Sequence, residues 1–217
     1  ENGADAIVLS AIDFDKNAEA VDKAADKGIK IITIDSDVNS GNVSMFIGTD
    51  NADAGRKAGR AVSAWASPEN KINIGVINYY KSTDNGIQRD EGFREYIESV
   101  DNADIVTAVN VSSNTESVEA AAKALLEENP QINALVGFNE WMTLGIGNTV
   151  KKLGLSESVH TIGFDTNTSS VDMLETGEID ALIVQNPFAI GYLGVKNAAE
   201  ILSGAKTEDN ELYTDTV

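Results

Sequence analysis

Ile31-Ile32-Thr33-Ile34 is a hydrophobic run that stops at the acidic Asp35. Other segments repeat the pattern. Ala6-Ile7-Val8-Leu9 stops at Ser10, Ala134-Leu135-Val136-Gly137-Phe138 at Asn139, Thr161-Ile162-Gly163-Phe164 at Asp165, and Ala181-Leu182-Ile183-Val184 at Gln185. Continuous rather than alternating runs of this length read as strands buried on both faces, as in a parallel sheet. In open parallel sheets, ligands lie beyond the carboxyl ends of the strands. Neutral or acidic hydrogen-bonding side chains therefore occupy the positions where one polar, non-ionic ligand would be met. A small-molecule binding protein is the leading expectation.

The segments between the runs have a different period. Residues 15–26, 51–66, 115–128, 141–153 and 187–202 place Ala, Val, Ile and Leu at helical spacing, and Gly154 and Gly204 supply stops for the last two. Residues 72–78 and 104–109 add further strands. Alternating strand and helix predicts an α/β fold with parallel sheets and right-handed crossovers. Two helix segments look alike, Glu19-Ala20-Val21-Asp22-Lys23-Ala24 and Glu119-Ala120-Ala121-Ala122-Lys123-Ala124, and each leads into a strand with a polar end. Two related lobes would produce this likeness, and so would the pattern common to all βαβ units.

The 217 residues suffice for one large or two modest domains. Acidic residues number 35 against 16 basic ones, a formal charge of −19. That field repels nucleic acid, whose binding needs cationic contacts to phosphate, and it favours a neutral or cationic ligand. Cysteine is absent, which excludes disulfides, thiolate metal sites and a Cys nucleophile. Asp13-Phe14-Asp15-Lys16-Asn17 opens like a calcium loop, but Ala18 and Ala24 stand where glycine and glutamate are required. Gly145-Ile146-Gly147 is half a dinucleotide fingerprint, inside a helix pattern and with Val150 in place of the third glycine. The single histidine, His160, begins a strand, away from the polar strand ends, and no nucleophile–base set forms around it. No cofactor or metal is expected, and no enzymatic activity.

Ile32-Thr33-Ile34-Asp35, Ile47-Gly48-Thr49-Asp50-Asn51, Arg89-Asp90-Glu91-Gly92-Phe93, Gly163-Phe164-Asp165 and Val184-Gln185-Asn186-Pro187 occur in that order. Together they resemble the ribose-binding-protein type of periplasmic sugar-binding protein, whose fold is shared by the ligand domains of lactose-repressor-type regulators. The resemblance covers essentially the whole chain. It implies a periplasmic-binding-protein type I architecture, with two Rossmann-like lobes and sugar in the cleft between them. The first lobe would hold residues 1–49 plus 186–214, the second 50–185, and residues 215–217 would begin a third crossing. Family members open with a strand–helix–strand–helix segment carrying aromatics that stack on the sugar. The chain enters a later strand almost at once and begins without Met, so the first lobe is expected to be incomplete. Ser36, Ile87 and Ser113 stand where ribose binders have two arginines and an aromatic, so the resemblance implies sugar binding more firmly than ribose itself.

Each candidate residue has a plainer alternative. Asp35 and Asp165, at strand ends, can each accept from two adjacent sugar hydroxyls; either could instead cap the following turn. Arg89 offers a planar fork of donors, or a surface pair with Glu91 or Glu95. Asn139 both donates and accepts, as a hydroxyl does, or caps the next helix. Gln185 would combine hinge and ligand roles, or neither. Ser10 ends the first strand and offers a hydroxyl. Trp141, and more weakly Phe14, present a ring to stack on a sugar, or pack in the core.

These readings predict a monomeric, extracytoplasmic solute-binding protein for a neutral monosaccharide or polyol, serving the membrane permease of an ABC importer, with no nucleic-acid partner. The alternative is the sugar-responsive effector domain of a lactose-repressor-type transcriptional regulator.

Overall fold

The computed structural model describes residues 3–79, 83–205 and 209–217. Chain contacts divide it into two compact units. The first comprises Glu1–Asp50, Ser82–Asn85 and Gln185–Thr216, and the second Asn51–Lys81, Gly86–Val184 and Val217.

In the first unit, β1 (Ala6–Leu9), β2 (Lys30–Ile34), β3 (Met45–Thr49) and β9 (Glu211–Thr214) form a parallel sheet in the order β1-β2-β3-β9. β2 is buried on both faces because its neighbouring side chains point opposite ways. Ile31 packs with Val21, Ala11 and Val38 on the side of α1 (Ala18–Ala25), and Ile32 packs with Ala198, Met45 and Ile47 on the side of α7 (Pro187–Leu202). β1, expected to be equally buried, is only half-buried along its length, since it lies at the sheet edge. α1 starts later than its periodicity suggests. The Asp13 backbone N–H donates to Asn17 Oδ1 (3.2 Å), and Asp13 Oδ1 accepts from the Lys16 N–H (3.0 Å). Side chains thus compete for the backbone groups that a first helical turn would use.

The second unit is a five-stranded parallel sheet, β5-β4-β6-β7-β8, of β4 (Ile72–Tyr79), β5 (Ala103–Val111), β6 (Ala134–Gly137), β7 (His160–Phe164) and β8 (Ala181–Ile183). Its helices are α2 (Asn51–Ser63), α3 (Asp84–Ile97, of which all but the first two residues belong to this unit), α4 (Thr115–Glu128), α5 (Glu140–Leu153) and α6 (Thr168–Thr176). The chain runs from β4 outward to β5 and returns to β6 on the other side of β4. That reversal makes the carboxyl ends of β4 and β6 the topological switch point, where crevices open in such sheets. One continuous core, from Ile72 and Ile74 through Val136, Phe138, Ile146 and Phe164, fills this unit. α6 has no counterpart in the periodicity reading. Asn167 caps it in a reciprocal box with Ser170. Gly145 and Gly147 are packing glycines, not a nucleotide loop: a Cβ would stand 2.5 Å from Val118 at the first and 2.5 Å from Met173 at the second. His160 stacks on Trp65 with ring centroids 4.3 Å apart.

Carboxylates tie the helices of this unit together. Glu119 of α4 accepts from Lys152 (2.6 Å) and Asn148 (2.8 Å) of α5, and Glu178 pairs with Lys151 (2.8 Å). The hydrogen bonds from Lys152 and Asn148 hold the Glu119 carboxyl below the usual glutamate value, and those from Lys151 and the Thr176 hydroxyl do so for Glu178. A depressed folded value means that these contributions are complete above the unfolded pKa of about 4.3 and vanish as pH falls through the folded one. The melting temperature is therefore expected to drop on acidification below about pH 4.3. Glu119→Gln/Glu178→Gln should flatten that part of the profile in a calorimetric pH series, and an unchanged slope would assign the acid sensitivity elsewhere.

Candidate functional site

In the first unit, Asp35 follows β2 in a left-handed backbone conformation, φ +62°. Its N–H continues the ladder by donating to Ile47 O (2.9 Å). The turn lifts the side chain off the strand end, and Ser10, at the end of the neighbouring β1, donates its hydroxyl to Asp35 Oδ2 at 3.2 Å. Gln185 is anchored on this unit too, its Oε1 accepting from Thr49 Oγ1 at 2.9 Å, at the end of β3. Ser10, Asp35 and Gln185 thus all stand at carboxyl ends of one sheet or bond to a residue there.

The second unit repeats the device. Asp165 follows β7 with φ +68°, and its N–H donates to Ile183 O (3.0 Å) on β8. Its Oδ2 accepts from the Glu140 N–H (3.1 Å), the first residue of α5. The helix that follows Asp165 is capped by Asn167, while Asp165 serves the start of α5. Asn139 is the N-cap of α5, its Oδ1 accepting from the Met142 N–H (3.0 Å), while Nδ2 faces Ser113 Oγ at 3.4 Å. Capping occupies its acceptor, leaving the amide donors for a second partner. Both residues sit at the helix N-terminus, where the peptide dipoles present positive potential. Trp141, in the first turn of the same helix, is 44% exposed. It is not a core side chain.

Arg89 departs most from a surface reading. It is 1% exposed, and the suggested pairing with Glu91 or Glu95 does not form; Glu95 pairs with Arg56 instead, at 3.4 Å. Arg89 Nε donates to Asn51 Oδ1 (2.8 Å) and Nη1 to Phe138 O (2.8 Å). The guanidinium carbon lies 4.9 Å from the centre of the Phe164 ring, which meets Phe138 edge-on. Nη2 is buried without a hydrogen-bond partner among the described residues. An unsatisfied buried donor costs about 1–3 kcal/mol, and more when charged. A ligand oxygen accepting from Nη2 would recover that cost.

Arg89 thus arrives beside Phe138 and Phe164, the residues that immediately precede Asn139 and Asp165. The second unit therefore gathers Arg89, Asn139 and Asp165 around the ends of β6 and β7. Two contributors are absent from the strand-end pattern. Asn51 holds Arg89, and buried Thr143 bonds both Phe164 N and Phe164 O at 2.8 Å, locking β7 to α5. An asparagine opening a helix reads as a cap, and a threonine inside one carries no signal.

Residues 1–206 match the model of the periplasmic binding protein domain. The chain is 28% identical, over 95% of its length and 66% of the relative's, to the D-ribose/D-allose-binding protein of Pseudomonas aeruginosa. It is 26% identical to the ribose import binding protein of Escherichia coli, covering 68% of that protein. It therefore spans about two thirds of the length of these relatives. Among solved structures, it is similar to a carbohydrate transporter solute-binding protein of Agrobacterium radiobacter in complex with D-arabinose, with TM-score 0.91 and 28% identity over 98% of this chain and 72% of that one. It is also similar to the glucose-galactose-binding protein GanP of Geobacillus stearothermophilus, with TM-score 0.91 and 26% identity over 98% and 75% of the two chains. Parallel α/β units, polar residues at matching strand ends and a match running through nearly the whole sequence agree: the chain belongs to the periplasmic binding protein domain family.

Proposed function

We propose that this protein is a non-catalytic, extracytoplasmic receptor for a neutral monosaccharide or related polyol, acting as a monomer that delivers its ligand to the permease of an ABC importer. Ser10, Asp35 and Gln185 of the first unit and Arg89, Asn139, Asp165 and Trp141 of the second are the groups assigned to the ligand. The observation that carries the reading is Arg89: a buried guanidinium held by neutral acceptors, with Nη2 unpartnered among the described residues. An uncharged polyol suits it, since hydroxyls accept from Nη2 and donate to Asp35 and Asp165 without bringing a charge into a chain of formal charge −19. The sugars bound by the relatives belong to the same chemical class.

A thermal-shift screen of the intact protein against pentoses, hexoses, polyols and nucleosides tests this. At a hundredfold excess over Kd, a ligand bound only by the folded state adds about 2.7 kcal/mol. For a chain of this size that corresponds to a rise of roughly 5–11 °C. A rise confined to one neutral sugar or a few close epimers is expected. No response to any neutral sugar, with a clear response to nucleosides or anions, would overturn the assignment.

A further inference from the structure

We propose that Asn51 is a positioning residue for ligand binding, fixing the guanidinium of Arg89 so that Nη2 is the donor left for the ligand. The proposal rests on the reading that Arg89 meets the sugar. Asn51 is the first residue of α2 and is 2% exposed. Its Oδ1 accepts from Arg89 Nε at 2.8 Å, while Phe138 O takes Nη1 at 2.8 Å from a different element. Two acceptors on separate elements define the guanidinium plane, and the Phe164 ring covers one side of it at 4.9 Å.

The backbone enforces this registry. A Cβ at Gly55, one helical turn beyond Asn51 on the same face, would stand 2.1 Å from Arg89 O, and a Cβ at Gly92 would stand 2.1 Å from Ala52 O. α2 and α3 therefore touch backbone to backbone where Asn51 meets Arg89, so the anchor and the arginine cannot drift apart independently. A free arginine side chain would lose rotamer entropy on engaging a ligand; here the anchoring contacts order it beforehand. The acceptor is neutral, which also matters. An amide oxygen aims the guanidinium without cancelling its charge, so the remaining donor makes a charge-assisted bond to a sugar oxygen.

The test is a double-mutant cycle in the intact protein, with the sugar that gives the largest thermal shift as probe and affinities from calorimetry. Asn51→Leu is expected to weaken binding about tenfold, equivalent to roughly 1.4 kcal/mol. Asn51→Asp, which keeps an acceptor for Nε but pairs the guanidinium charge, should weaken binding by less than Asn51→Leu does; a loss as large as that of Asn51→Leu would show that aiming Nε contributes nothing. In an Arg89→Met background Asn51→Leu should cause no further loss; an equal loss in both backgrounds would overturn the positioning role while leaving Arg89 in the site. Unchanged affinity in Arg89→Met alone would remove Arg89 from the ligand, and both readings would fall. Should Asn51→Leu not fold, the parent protein still decides: a slowly exchanging Arg89 Nε–H resonance without sugar supports anchoring, and a rapidly exchanging, rotationally averaged one overturns it.

Discussion

Gly92→Ala should lower the melting temperature by up to roughly 8 °C, although alanine is the better helix former by about 1 kcal/mol. The added Cβ would stand 2.1 Å from Ala52 O, a backbone atom of α2 that no side-chain rotation can move aside. Relief requires α2 and α3 to separate by about 1 Å, since carbon and oxygen rarely approach within about 3.3 Å. Overpacking of this kind costs about 1–3 kcal/mol, occasionally more. Separation would also pull Asn51 from Arg89, so sugar affinity should fall along with stability. Gly191→Ala is the control. It too lies inside a helix, α7, but its Cβ meets nothing within 4 Å. Free of collision, it should show the ordinary sign and raise the melting temperature by a few degrees, from about 0.5–1 kcal/mol. Opposite signs for two helix-interior glycines, read in one calorimetric series, would establish the close crossing. A neutral or stabilising Gly92→Ala would show that the helices separate freely.

The sheet was legible where burial is two-sided. β2, β6 and β7 are continuous apolar runs because helices cover both faces, and the polar residue after each run marked its carboxyl end. β9 was not legible: Glu211-Leu212-Tyr213-Thr214 is a short edge strand that alternates exposed and half-buried positions and carries no continuous apolar run. β3 could be quoted as a motif but not as a strand, since no helix pattern separates it from β2. α6 escaped notice because Val171 and Leu174 are well exposed, which leaves no strong apolar stripe. At the candidate site, position along the chain identified Asp35, Asn139, Asp165 and Gln185 as strand-end residues. It could not identify their partners. Whether Arg89 turned inward to Asn51 or outward to Glu91 depends on how closely α2 approaches α3. That distance is set by Gly55 and Gly92, which lie far apart in sequence and read individually as weak points in their helices.

Asp35→Ala should weaken binding of the cognate sugar by more than tenfold, on the order of 1.5–3 kcal/mol, through loss of a charge-assisted bond and unpaired ligand hydroxyls. A single substitution cannot separate chemistry from backbone, because Asp35 sits at φ +62°. Aspartate and asparagine tolerate that conformation, whereas alanine bears a penalty of about 1–2 kcal/mol. Asp35→Asn therefore isolates the charge. It should reduce calorimetric affinity while lowering the melting temperature of the sugar-free protein less than Asp35→Ala, which also bears the backbone penalty. Asp165 has the same left-handed backbone, φ +68°, but a different obligation, since its Oδ2 accepts from the Glu140 N–H at the start of α5. There Asp165→Asn should cost stability as well as affinity, through weaker charge–dipole and capping interactions of about 0.3–1 kcal/mol. The pair of asparagine variants thus compares a carboxylate that accepts from the Ser10 hydroxyl with one that accepts from the backbone at the start of α5. Unchanged affinity in Asp35→Asn and Asp35→Ala together would remove Asp35 from the site. The left-handed turn after β2 would then be a property of the strand end alone.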